Sequence, residues 1–178
     1  MNNYQITAWC SGFIRNQVQD GDLCIDATMG NGNDTFYLSK LSRKVYAFDI
    51  QKIAIDTAKN KCSEFNNISF ILDSHANVNK YVDNFDAGIF NCGYLPHGDT
   101  SITTTSSSVI DALNNCLPNL NSKGRIIIVL YPGFEQGAKE AIEIEQYVNN
   151  LPSKTYDVFK IQITNRNHVP YIIGIDKH

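Results

Sequence analysis

The sequence lacks the marks of several common protein classes. It has no Cys-x-x-Cys pair, and its five cysteines (Cys10, Cys24, Cys62, Cys92, Cys116) and four histidines fall into no zinc-type spacing. Reduced thiols and no metal are therefore expected, with Cys24, set among apolar residues, read as a small core residue. No apolar run approaches the length that spans a bilayer. The opening Met1-Asn2-Asn3-Tyr4-Gln5 has no basic start leading into an apolar stretch, so a cytoplasmic protein without membrane contact is expected. There is no basic excess either. A formal net charge of −3 argues against broad, non-specific nucleic-acid binding, while permitting a local basic rim around one pocket. With no repeat, linker or low-complexity tract, 178 residues are expected to form a single domain, 1–178, with an ordinary core.

What is present is an alternation of strand-like and helix-like segments, the pattern of a mostly parallel sheet covered on both faces. Residues 4–18 read as an amphipathic helix, and Leu23–Ala27 as a first strand followed by a glycine turn and a helix through Leu41. Strands are expected at Lys44–Asp49, Asn67–Leu72 and Phe85–Asn91, with a helix over 52–64. A Ser- and Thr-rich stretch leads into a helix around 106–117, capped by one of its hydroxyl residues. Ile126–Leu130 is a β-branched run of the kind found in buried central strands, and 135–150 reads as helix. Two further strands, 156–163 and 169–175, are joined by Thr164-Asn165-Arg166-Asn167-His168, short enough for an antiparallel hairpin.

The turn Asp26-Ala27-Thr28-Met29-Gly30-Asn31-Gly32-Asn33-Asp34-Thr35 lies between a strand and a helix. Small residues there let backbone approach a ligand, and the helix start offers unpaired N–H groups. Asp26, Asp49 and Asp73 stand at or just past the ends of three strands, where open parallel sheets bind ligands in a common crevice. Asp49, with Gln51 beyond it, is placed to take the two hydroxyls of a ribose. Asp26 would repel a pyrophosphate but attract an ammonium group, and a third glycine is missing, so S-adenosylmethionine is favoured over a dinucleotide. Asp73-Ser74-His75 is a candidate for the adenine edge, although surface capping explains His75 at least as well.

Asn91-Cys92-Gly93-Tyr94-Leu95-Pro96 begins where the fourth strand ends. It resembles the Asn-Pro-Pro-Tyr loop of amino-group methyltransferases. A nitrogen nucleophile needs its lone pair aimed at a methyl carbon and its hydrogens held by acceptors, such as the Asn91 carbonyl. Tyr94 suits packing against a flat, extruded base. An aliphatic amine with a lysine-like pKa near 10.4 is neutral in only about one molecule in a thousand at pH 7; Asp99 and His97 are candidates to take its proton. Cys92 raises a rival chemistry, thiolate attack on a pyrimidine, which requires an activated thiol. Tyr131-Pro132-Gly133 is delivered to the same face by the fifth strand. If the sixth strand runs parallel to the fifth, Arg166 and His168 rim the pocket and can meet phosphate and base, with Arg15, Lys40 and Arg43 as possible extensions.

Taken together, the Asp26–Thr35 turn, Phe90-Asn91-Cys92-Gly93-Tyr94-Leu95-Pro96 and Tyr131-Pro132-Gly133 resemble the small bacterial rRNA-methylase family. Within it, the chain is similar to the group acting on the wobble uridine of tRNA. It departs from the family pattern at Asn33, His97 and Thr100, where histidine, glycine and lysine are common. The resemblance implies a class I methyltransferase (Rossmann-like) fold, a mostly parallel seven-stranded sheet with helices on both faces. It also implies S-adenosylmethionine as cofactor and the tRNA anticodon stem-loop as partner, with methylation of the exocyclic amine of 5-aminomethyl-2-thiouridine, and it makes a homodimer plausible. Within that reading the cofactor falls to Asp26, Thr28, Gly30, Asn31, Gly32, Asn33, Asp34, Thr35, Asp49, Gln51, Asp73, Ser74, His75 and Asn91. Asn91 and Tyr94 orient the acceptor, and Tyr94, Pro96, His97, Tyr131, Pro132, Gly133, Arg166 and His168 hold the substrate. Methylation of rRNA or of a small-molecule or protein amine, and a non-catalytic cofactor-binding subunit, are the alternatives.

Overall fold

The Ile126–Leu130 run occupies the middle of the sheet, buried on both sides. In the computed structural model, which describes Gly12, residues 18–93 and residues 104–178, it forms the inner part of β5 (Leu120–Leu130). Ile126, Ile128 and Leu130 enter one apolar cluster and Ile127 and Val129 the other. A strand covered on both faces has no polar side to present, which is why the run is continuous rather than alternating.

Four strands precede it: β1 (Leu23–Asp26), β2 (Lys44–Asp49), β3 (Ile68–Leu72) and β4 (Phe85–Asn91). Two follow, β6 (Tyr156–Ile161) and β7 (Tyr171–Lys177). The order across the sheet is β3-β2-β1-β4-β5-β7-β6. The first five are parallel, and β7 is antiparallel to both its neighbours. Hence β6 runs in the direction of β5, and its carboxyl end opens on the same edge of the sheet. Helices α1 (Asn33–Leu41) and α2 (Lys52–Lys61) cover one face with Leu38, Ile55 and Ala58. Helices α3 (Ser106–Cys116) and α4 (Glu135–Asn149) cover the other with Val109, Leu113, Ile144 and Val148. This is the architecture of class I methyltransferases, including the antiparallel C-terminal pair. Among the described residues no helix is long and apolar enough to cross a membrane.

The capping hydroxyl expected for the helix near 106 is Thr105, whose side chain accepts from the Ser108 amide. The element ends differ from the sequence reading for local reasons. β5 begins at Leu120 rather than Ile126, because Leu120 pairs with Phe85 before an irregularity brings Arg125 opposite Ala87. Asn121-Ser122-Lys123-Gly124 looks like a turn, and Lys123 does take a positive φ of 66°. β6 stops at Ile161 and β7 starts at Tyr171, the residue after Pro170, which has no N–H to give a ladder. The helix expected over 4–18 lies almost wholly outside the described residues.

Candidate active site

Parallel pairing sets the site. Asp26 pairs with Ala47 and Ile89, Asp49 with Leu72 and Asn91 with Val129, so Asp26, Asp49 and Asn91 end neighbouring strands along one carboxyl edge. The glycine turn is suspended between those ends. The Ala27 amide donates to the Ile89 carbonyl and the Met29 amide to the Phe48 carbonyl, both at 2.9 Å, while the Gly30 amide donates to Asp49 Oδ2 at 2.9 Å. Gly30 and Gly32 take left-handed φ values of 51° and 75°. At Gly32 the lack of a side chain serves helix packing rather than a ligand: a Cβ there would stand 2.8 Å from that of Ala58 on α2.

The carboxylates divide their work differently from the sequence reading. Asp26 is 0% exposed, and its oxygens accept from the Thr35 hydroxyl at 2.5 Å and the Thr28 amide at 3.2 Å. It is sealed beneath the turn, with its oxygens taken by Thr35 and Thr28, and Thr35 is itself fully buried. Burial, with Asp34 and Asp49 adding repulsion, pushes Asp26 up to about 7. The carboxylate that reaches the acceptor loop is Asp34, in the first turn of α1, whose Oδ2 accepts from Asn91 Nδ2 at 3.3 Å. Burial raises Asp34 as well, against the lowering effects of Asn91 and Lys61. Among the described residues neither carboxylate forms an ion pair.

Asp49 accepts from Gly30 and, through Oδ1, from the Gln51 amide at 2.8 Å, which ties the turn to the start of α2. Asp73 turns to its own loop. It accepts from Asn77 Nδ2, the Tyr81 hydroxyl and the Ser74 amide, and these bonds, Asn77 first, hold it below the usual carboxylate range. Ser74 caps the short 3₁₀ segment His75–Lys80. His75 is not a surface cap. Its Nε2 lies 3.2 Å from Ser108 Oγ and its ring stands edge-on to Phe90, and burial holds it below its ordinary value, hence neutral. Asn31 is partly exposed in the turn, and Asn33 is exposed with its carbonyl bound by Lys61. Two exposed residues went unremarked in the sequence: Ile50 and Leu72, 55% and 53% exposed, flank Asp49 and give this end of the crevice an apolar shelf. Their signal is an apolar side chain at or just past a strand's end, where no core remains to receive it.

Asn91 is held on three sides. Its amide N–H donates to Thr28 Oγ1 at 2.6 Å, its Nδ2 to Asp34, and its Oδ1 accepts from the Tyr131 hydroxyl at 2.7 Å. A carboxylate on one side and a hydroxyl on the other set which way the amide faces. Cys92 is no thiolate: burial, reinforced by Glu140, drives its thiol far above the ordinary range. That removes the basis for pyrimidine attack. Tyr94, Pro96, His97, Asp99 and Thr100 lie outside the described residues, as does Arg15.

Pro132 and Gly133 meet the β6–β7 connection. A Cβ on Gly133 would stand 3.4 Å from the His168 carbonyl, and Pro132, Arg166 and His168 line one cleft of about 370 Å³. Gln162 lines it too, a residue hidden in the sequence by its resemblance to a strand continuation. Lys40 and Arg43 do not extend this rim. Arg43 bonds the Gly21 carbonyl at the amino end of β1, and Lys40, in the last turn of α1, sits over Phe36. Both belong to the opposite edge of the sheet.

Comparison with known proteins gives the family. A chloroplastic tRNA (mnm5s2U34)-methyltransferase of Arabidopsis thaliana is 32% identical over 184 residues, covering 90% of this chain and 65% of that protein. The chain thus spans about two-thirds, 65%, of that relative's length. A Clostridium thermocellum structure described as a "putative rRNA-methylase" superposes with a TM-score of 0.92 at 34% identity, covering 97% of each chain. A Streptococcus mutans protein described as a "putative methyltransferase", in complex with S-adenosylhomocysteine, gives 0.90 at 35% identity, over 97% of this chain and 98% of that one. Residues 45–176 match the model of the family described as "Putative rRNA methylase", and the chain belongs to that family.

Proposed function

We propose that this chain is an S-adenosylmethionine-dependent tRNA methyltransferase. On this reading it methylates the exocyclic amine of 5-aminomethyl-2-thiouridine at the wobble position, giving 5-methylaminomethyl-2-thiouridine. The observation that carries the proposal is the clamped Asn91, fixed by Thr28, Asp34 and Tyr131 at the lip of the crevice. The name of the Arabidopsis relative supports the acceptor, and the ligand of the Streptococcus relative supports the cofactor.

The crevice fits this cofactor. Asp26 and Asp34 form a buried acidic pair that, among the described residues, makes no ion pair, with Lys61 near enough only to lower Asp34, a field suited to an ammonium and hostile to a pyrophosphate. Asp49, at the end of β2, retains lone pairs for ribose hydroxyls, and Ile50 and Leu72 offer an apolar wall to a flat ring. Gly30 brings backbone to the ligand, and His75, neutral and half-buried, closes the floor between Phe90 and Ser108. S-adenosylmethionine supplies an electrophilic methyl group. Asn91 holds the acceptor amine through the remaining lone pair of Oδ1, directing the nitrogen toward the crevice. Enclosing the amine favours its neutral form, the form with a free lone pair.

The test is incubation of the purified protein with labelled S-adenosylmethionine and undermodified bulk tRNA, followed by digestion and mass spectrometry of the nucleosides. Methylaminomethyl-2-thiouridine should appear, and it should be lost with Asn91→Ala. No methylated nucleoside, despite confirmed cofactor binding and aminomethylated tRNA, would overturn the tRNA assignment in favour of small-molecule or protein amines.

A further inference from the structure

The cleft beyond Pro132 lies outside the machinery just described. It is built from the end of β5 and the β6–β7 connection, with Pro132, Gln162, Arg166, Asn167, His168 and Tyr171 in its walls. Its volume of about 370 Å³ falls in the range of sites that take a small ligand, not a duplex. We infer that this cleft is a second nucleotide subsite, receiving the phosphate and base of a single-stranded ribonucleotide that directly flanks the methylated one. The inference rests on the RNA reading above.

Position is the first argument. Tyr131 bonds Asn91 at the acceptor site, and the very next residue forms the cleft wall. The cleft therefore adjoins the acceptor site along the chain, and a nucleotide next to the one at Asn91 is the part of an RNA placed to reach it.

Chemistry is the second. Arg166 is exposed and, among the described residues, makes no ion pair, so its guanidinium is available for the two-point hydrogen bonding that phosphate oxygens accept. Gln162 and Asn167 each carry an amide with donors and an acceptor, the equipment for the edge of an unstacked base. Pro132 supplies an apolar wall beside it. The junction is also closely made: His168 holds a left-handed φ of 56°, unusual for a residue with a side chain, while its carbonyl abuts Gly133. A lone cation among amides and apolar walls suits one phosphate with its base better than a highly charged peptide.

Binding of an anticodon stem-loop carrying 5-aminomethyl-2-thiouridine tests this, with S-adenosylhomocysteine present and Kd as the readout. Two further stem-loops carry a neutral methylphosphonate at the linkage on one side or the other of the wobble nucleotide. At one of these linkages, neutralisation should weaken binding to the wild-type protein about tenfold and leave binding to Arg166→Ala unchanged, with Arg166→Lys between them. Gln162→Ala should weaken the unmodified stem-loop several-fold without altering cofactor affinity. Full additivity of Arg166→Ala with both neutral linkages would overturn the subsite, as would unchanged binding by Arg166→Ala. A wild-type protein that neither binds nor methylates the stem-loop would instead bring down the RNA reading itself, before any variant is compared.

Discussion

Asp26 is a fully buried carboxyl that forms no ion pair among the described residues, and that makes the fold sensitive to pH in an unusual direction. Its ordinary value is 3.8, while in the folded chain it is pushed up to about 7, first by burial and then by Asp34. Between those values the folded chain keeps a proton that the unfolded chain has released. Acid therefore favours the fold across this window, and that stabilisation is lost as pH rises through about 7. His75 acts with the opposite sign: buried neutral, it contributes stability that falls away as pH drops below its ordinary 6.5. Comparison with Asp26→Asn cancels the histidine. Asparagine stays neutral at every pH, so the melting temperature of the variant relative to wild type should rise by a few degrees between pH 5 and pH 8. Calorimetry without ligand checks this. Saturating S-adenosylmethionine should shrink the difference, because a bound ammonium offsets the charge that asparagine removes. A difference independent of pH would mean that Asp26 is ionised throughout.

The turn between β1 and α1 makes a comparable demand on shape. Gly32 is the N-cap of α1, with φ 75° and no capping side chain, and it stands where α2 passes closest. Gly32→Ala adds both left-handed strain and a methyl 2.8 Å from Ala58 Cβ, and should cost roughly 1–3 kcal/mol. Cofactor affinity should fall with it, since Asp34 and Asn33 open the same helix. Adding Ala58→Gly relieves the overlap but not the φ strain, so chemical denaturation of the double variant should show partial recovery. Full recovery would assign the whole effect to packing. The pattern of elements was legible because each element carries its own period: the β-branched run of β5, the strand ends at Asp49 and Asn91, and the Thr105 cap are local facts. So was the gathering of Asp26, Asp49 and Asn91, which follows from parallel pairing alone. What sequence could not give depends on contacts across the chain. That Asp26 is sealed by Thr35 while Asp34 meets Asn91, that His75 faces inward to Phe90, and that Gly32 serves Ala58 are tertiary facts. Spacing alone does not reveal which of two nearby carboxyls points at a third residue.

For the molecule as a whole, the question is how a chain of net charge −3 would hold a polyanion. Several of the cations among the described residues are committed elsewhere. Lys52, Arg125, Lys139 and Lys160 pair with Asp56, Asp176, Glu135 and Glu145, and Lys40 and Arg43 lie on the edge away from the crevice. The crevice itself is acidic, which suits a cationic donor and a cationic amine but repels phosphate. Recognition must then come from the acceptor base at Asn91 and the cleft around Arg166, with few phosphates neutralised. For single strands the logarithm of affinity falls with the logarithm of salt by about 0.7 per phosphate contact. Anisotropy titrations of an anticodon stem-loop between about 50 and 200 mM salt should accordingly give a shallow slope, about −1 to −2, well short of that of a protein tracking a duplex backbone. A slope of about −5 or steeper would mean that seven or so phosphates are neutralised, far more than Arg166 can account for. In that case a second copy of the chain would have to supply a basic surface, and the acidic crevice would be only one part of a larger RNA-binding face.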